Sequence, residues 1–159
     1  MVLSLAFSVP DRSSGWWTTW SDLLEAEAAG VGETGLRYKY CSVRLELIVG
    51  DVPVVVGNVQ VPLVDFALQM RWVSGRLSQG EVATVDFTEN ANWIRFRPVG
   101  DEVFVMASRS EAEGAVPRAV MIEACDRFVS TAYATLVAQI PGIEDNPVVR
   151  LLATAHNEE

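Results

Sequence analysis

Histidine, lysine and cysteine are scarce in this chain: one, one and two residues in 159. The single histidine, His156, sits in the terminal stretch His-Asn-Glu-Glu, a poor place for the ordered imidazole of a triad or a histidine-bearing metal site. Lys39, flanked by Tyr38 and Tyr40, reads as a solvated lysine at the start of a strand rather than a Schiff-base former. Cys41 and Cys125 make no disulfide framework. Each falls on the apolar face of its element, and Cys125 precedes an acid, Asp126, so both read as small core hydrophobes. Cys-x-x-Cys, Gly-x-Gly-x-x-Gly and Walker-type loops are absent, so no metal and no cofactor is expected. No apolar run approaches the roughly 18 residues of a membrane span. The opening MVLSLAFSV has no basic residue and alternates Leu3, Leu5, Phe7 and Val9 against Ser4, Ala6 and Ser8. That pattern predicts a half-buried strand rather than a signal peptide, and a cytoplasmic location.

Positive charge is also in deficit, with 12 basic against 21 acidic residues and a net charge of −9. Such a surface repels phosphate, which argues against nucleic acid and anionic membrane and favours a basic protein partner. Half of the chain is apolar. A chain of this length forms one domain that buries roughly 68–70% of its unfolded surface, without needing disulfides or metals.

Residues 10–15 read as a loop, followed by a helix carrying Trp20, Leu23, Leu24 and Ala28 and stopped by Gly30. A strand follows, with Cys41, Val43, Leu45, Leu47 and Val49 on one face. Gly50-Asp51 is a hairpin turn into a strand bearing Val52, Val54 and Val56, and Pro53 marks a sheet edge. Pro62 opens a helix whose inner face is Leu63, Phe66, Ala67, Met70, Val73, Ser74 and Leu77, with Gly80 as its stop. Strands over 82–88, 93–99 and 102–109 form a meander, and SEAEGA is a polar loop. Pro117 opens a long helix ending near Ile140, and Asn146-Pro147 caps a last short one. No internal repeat is evident. The predicted class is α+β: a mostly antiparallel sheet of about six strands with helices on one face, in the order β-α-β-β-α-β-β-β-α-α. Residues 1–152 form the domain and 153–159 a flexible tail.

The acid pairs Asp86/Glu89, Glu111/Glu113 and Glu144/Asp145 lie mostly in loops, where solvated carboxylates are the rule, so acid–base catalysis is not favoured. The meander is more informative. A loop at 89–92 pairs Phe87 with Ile94 and Val85 with Phe96 on the inner face, setting Asp86 opposite Arg95 and Thr84 opposite Arg97 outside. The Gly100-Asp101 turn then places Phe104 beside Arg97 and Met106 beside Arg95. The outer face thus shows Asp86, Trp93, Arg95, Arg97, Phe104 and Met106, with Glu89 in the adjoining loop. Trp, Arg and Met are enriched at protein interfaces. The alternative is that another part of the chain covers this face. Trp72 falls on the polar side of its helix with Asp65, Gln69 and Arg76, the position of an interface anchor, whereas Trp16 and Trp17 read as packed.

The stretches GWWTTWSDLLEAEAAG, ETGLRYKYCSVRLEL, PLVDFAL and DFTENANWIRF resemble an uncharacterised actinobacterial, Streptomyces-type family of small acidic domains. The resemblance implies no catalytic residues. Proteins of this profile also resemble the immunity proteins of bacterial toxin systems. The expected function is a non-enzymatic, protein-binding module with Trp72, Asp86, Glu89, Trp93, Arg95, Arg97, Phe104 and Met106 as partner-binding residues. The alternative is a small-ligand binder or enzyme with a pocket between sheet and C-terminal helix, lined by Tyr38, Tyr40, Met121, Phe128 and Tyr133. A homodimer through the edge or face of the meander is the third outcome.

Overall fold

The computed structural model describes residues 3–87, 92–108 and 110–153. The alternating N-terminal segment forms β1, Leu3–Ser8, which pairs antiparallel with β2, Ser42–Val49. The connection between them is helical: α1, Thr18–Leu24, and α2, Glu33–Tyr38, with 3-10 turns at Gly15–Trp17 and Ala28–Gly30. α2 occupies residues where the sequence predicts the approach to a strand at Tyr38 and Lys39. That short helix is held by tertiary contacts and a Glu33–Arg37 pair at 3.4 Å rather than by an apolar period. Cys41, at φ 60°, turns the chain into β2. Its N–H donates to the Thr19 carbonyl at 3.1 Å and its carbonyl accepts from Leu63 N–H at 2.9 Å, which holds a non-glycine residue in the left-handed region.

Val43, Leu45, Leu47 and Val49 are buried along one face of β2, as the alternation predicts, while Arg44 and Glu46 are exposed. Gly50, at φ 62°, turns the chain into β3, Val52–Val55. A register shift at Leu47/Ile48 pairs Leu47 with Val55. Val55 therefore enters the core and Val56 is exposed, which breaks the expected Val52/Val54/Val56 face. β4, Gln60–Pro62, pairs with the first half of β2 and feeds α3, Leu63–Ser78. All seven residues predicted for the inner face of α3 are buried.

The second sheet contains β5, Ala83–Asp86; β6, Trp93–Val99; β7, Glu102–Ala107; and β8, Gly114–Pro117, in the order β5-β6-β7-β8. It leads into α4, Arg118–Gln139, and then α5, Pro147–Ala153. The fold is α+β, as expected, with the described strands in two antiparallel sheets rather than one. β4 and β8 are the added strands. Both are short, end in proline and owe their state to pairing rather than to a hydrophobic pattern. Of the predicted tail, Ala153 belongs to α5 and the remainder lies outside the described residues.

The order of elements repeats along the chain. β1-β2-β3-β4-α3 and β5-β6-β7-β8-α4 are each four strands followed by a long helix. Both central hairpins turn on Val-Gly-Asp, Val49-Gly50-Asp51 and Val99-Gly100-Asp101, with the glycines at φ 62° and 59°. Both helices are preceded by Val-Pro, Val61-Pro62 and Val116-Pro117, with the proline as N-cap. The two fourth strands differ in partner: β4 joins β2, whereas β8 joins β7.

α3 and α4 pack together, and Ser74 Oγ meets Asp126 Oδ1 between them at 2.6 Å. Phe128 of α4 sits edge-on to Phe7 at 5.2 Å and to Phe66 at 5.4 Å, tying β1 to α3. Met121 and Phe128 are thus core residues, whereas Tyr38 lines a cleft beside α3. Gly114 crosses Val49 so closely that an added Cβ would stand 2.2 Å from the Val49 carbonyl oxygen. That contact sets the approach of the two sheets.

Candidate functional site

On β6 and β7 the expected juxtaposition is present: Arg95 opposite Met106 and Arg97 opposite Phe104. The β5–β6 register differs by two residues. Thr84 faces Arg95 and Asp86 faces Trp93, because the ladder extends to a Phe87 N–H bond to the Asn92 carbonyl at 3.1 Å. A two-residue displacement preserves which face each side chain takes, so the predicted outer face survives the correction. Asp86, Arg95 and Arg97 are exposed, and Trp93, Phe104 and Met106 are half-buried. Arg95 lies over the Trp93 ring at 4.6 Å and Arg97 over Phe104 at 5.0 Å, while Arg97 also grips Glu113 with both oxygens at 3.1 Å. Glu89 lies outside the described residues, as does His156.

Trp72 is 49% exposed, with Arg76 stacked on it at 5.6 Å. It stands on the rim of an open cleft of about 500 Å³ walled by α2, α3, β5 and α5. Glu33, Arg37 and Tyr38 line it from α2; Asp65, Leu68, Gln69 and Trp72 from α3; Thr84 and Asp86 from β5; and Val148 and Leu151 from α5. The structure therefore brings two predicted residues, Trp72 and Asp86, into one cavity. Thr84 and Asp86 also belong to the outer face of β5, so the cleft wall continues into the Trp93/Arg95 face one strand away, about 4.8 Å. Arg97, Phe104 and Met106 lie farther along the same face.

The cleft floor is a buried ion pair that the sequence did not disclose. Asp65 is 4% exposed and accepts at Oδ1 from Arg37 Nε at 2.8 Å and Nη2 at 2.5 Å, and at Oδ2 from Gln69 Nε2 at 2.8 Å. Burial pulls the Arg37 guanidinium pKa down, but its bonds to Asp65 and that residue's charge outweigh burial and hold it above its usual value. Around this fixed floor stand Tyr38, 42% exposed, and Leu151, 46% exposed. Asp65 and Gln69 were legible only as polar neighbours of Trp72 on the helix wheel. Nothing in the local sequence signals Arg37 as the partner of Asp65.

Elsewhere, the tryptophans near the N-terminus divide. Trp17 stacks on buried Trp20 at 6.3 Å, while Trp16 is exposed rather than packed, because the Gly15–Trp17 turn has no buried residue. Both thiols are free and buried, and burial pushes each up to about 12, so neither is a nucleophile at neutral pH. Among the described residues no cluster of three or more His, Cys, Asp or Glu is placed to hold a metal ion, and no helix is long and apolar enough to cross a membrane. Comparison with protein-family models, curated proteins and solved structures finds no match to this chain.

Proposed function

We propose that the protein is a non-enzymatic binding module that docks a protein partner on the Trp72 cleft and the adjoining outer face of β5–β7. The observation that carries this reading is the gathering of three exposed large apolar side chains, Tyr38, Trp72 and Leu151, around one cleft with a rigid polar floor. Exposed apolar patches rimmed by polar groups mark interaction sites, and Trp, Tyr and Arg supply most hot spots. The partner is basic: the chain carries −9, and Glu33 and Asp86 add negative charge to the cleft wall. An immunity-like, toxin-neutralising role in the cytoplasm belongs to the same proposal and rests on size, acidity and the sequence resemblance.

A small ligand is the second reading, because the cleft volume falls within the usual range for small-molecule sites. The floor groups favour the first, since Arg37, Asp65 and Gln69 already satisfy one another.

The partner is to be trapped by a photo-crosslinking residue at Leu151, with exposed Val56, beside the other sheet, as the control position, and its affinity measured by calorimetry. Trp72→Ala is expected to weaken binding by about 30-fold, the roughly 2 kcal/mol of a hot spot. Trp93→Ala with Arg95→Ala is expected to weaken it by about 10-fold. Unchanged affinity in Trp72→Ala would overturn the cleft as the docking site.

A further inference from the structure

The four sheet edges are not treated alike. At β5, Arg76 Nε and Nη2 donate to the Val82 carbonyl at 3.1 and 2.8 Å, and Gln69 Nε2 reaches the Asp86 carbonyl at 3.5 Å. At β8, Pro117 ends the strand and Gly114 is pressed against Val49. The β3/β4 edge carries Pro53 and Pro62. Each of these is a recognised way of blunting an edge against further pairing. β1 has none: it is Leu-Ser-Leu-Ala-Phe-Ser, without charge or proline.

The hydrogen-bond parity shows what β1 offers. On β2, Leu45 N–H bonds Val59 and the Cys41 carbonyl bonds Leu63, so the odd residues of β2 point toward β4 and the even ones toward β1. The register Ser4↔Ile48, Ala6↔Glu46, Ser8↔Arg44 then assigns the even residues of β1 to β2. The N–H and C=O groups of Leu3, Leu5 and Phe7 consequently face outward, and among the described residues they make no hydrogen bond. Beside this edge runs a groove of about 280 Å³ lined by Leu3, Ser4 and Leu5 and by Val120, Glu123, Ala124 and Arg127 of α4.

We infer that this edge is a homodimer interface, in which β1 of one copy pairs antiparallel with β1 of a second about a twofold axis at Leu5. The fit is self-complementary. Leu5 exchanges both bonds with its mate and Leu3 does so with Phe7, which satisfies every outward group of the three residues. The α4 helices flank the twofold axis in opposite directions. Glu123 and Arg127, an exposed neutral pair within one chain at 2.5 Å, then face each other's counterpart across it. A second copy is thereby favoured by charge as well as by backbone. The surface is separate from the Trp72 cleft and leaves it open.

Light scattering across a concentration series is expected to give twice the 17.4 kDa chain mass at high concentration, falling to the monomer on dilution. Hydrogen exchange is expected to show the Leu3, Leu5 and Phe7 amides at least 10-fold slower in the dimer than in the dilute monomer. Arg127→Glu places like charges across the axis and raises the dimer dissociation constant at least 10-fold. Adding Glu123→Arg restores it. Both positions are exposed, so folding is unaffected. A mass of 17.4 kDa at all concentrations, unprotected amides in a dimer, or a charge swap that fails to rescue would each overturn the inference.

Discussion

The Asp65 ion pair predicts an asymmetry between two substitutions that remove the same contact. Arg37→Met leaves Asp65, with 6% of its side chain exposed, holding only the bond from Gln69. Asp65→Ala leaves Arg37, with 25% of its side chain exposed and Glu33 still at 3.4 Å, so the stranded cation reaches water and a second acid. Breaking a buried pair costs about 3–5 kcal/mol because the survivor stays desolvated. Arg37→Met belongs in that range. Asp65→Ala belongs nearer 2 kcal/mol, since partial exposure screens the charge left behind. For a chain of this length each kcal/mol lowers Tm by about 2–4 °C. Arg37→Met is therefore expected to melt about 6–20 °C below the parent and Asp65→Ala about 4–8 °C below. The double variant Arg37→Met/Asp65→Leu, which leaves no uncompensated charge, should recover most of the loss. Urea unfolding gives the free energies directly, with the slope as a check that the unfolded state is unchanged. Equal losses for the two single variants, the reverse order, or a double variant as unstable as their sum would refute the reasoning.

Two glycines, one asparagine and the two thiols carry further predictions. Gly114→Ala must drive a methyl toward the backbone of Val49 and should cost about 3 kcal/mol, whereas Gly75→Ala, in open space on α3, should stabilise by about 0.5–1 kcal/mol; urea unfolding of the pair tests both. Asn146→Ala removes a cap to Val148 N–H at 2.9 Å and bonds to the Ala28 and Val31 carbonyls at 2.8 and 2.9 Å. It should cost about 2–4 kcal/mol, measured by calorimetric melting. The thiols ionise near 9 in the unfolded chain and near 12 in the folded one, so the folded state holds more protons in that window. Stability should be intact below pH 9 and fall by about 1.4 kcal/mol per pH unit per thiol above it, and Cys41→Ala/Cys125→Ala should flatten that slope in urea titrations at pH 8 and 10.

What the sequence disclosed was whatever depends on local periodicity. The buried face of β2, the inner face of α3 and the Gly-Asp hairpins each follow from spacing alone. Trp72 was legible for the same reason, as an aromatic out of phase with its helix. The outer face of the meander survived an error in register because strands alternate with a period of two. Hidden were the features set by distant chain. The bulge at Leu47/Ile48 is invisible in a run of valines, and β4 and β8 exist only through their partners. Asp65 looked like a surface acid until Arg37, on a helix with no apolar period, was brought against it.

The repeated architecture explains where the cleft arises. Four strands and a helix, used twice, supply the two sheets and the α3–α4 pair. Two elements have no counterpart in the repeat: the helical connection between β1 and β2, and α5 after the second unit. Arg37 and Tyr38 come from the first, and Val148 and Leu151 from the second. Asn146 binds them to each other, donating to Ala28 and Val31 of the connection while capping α5. The repeated units provide α3 and β5 as the back of the cleft, and the unrepeated pieces provide its other walls. A functional surface placed on such additions can change without disturbing the core that supports it, as expected when sites are grafted onto a scaffold.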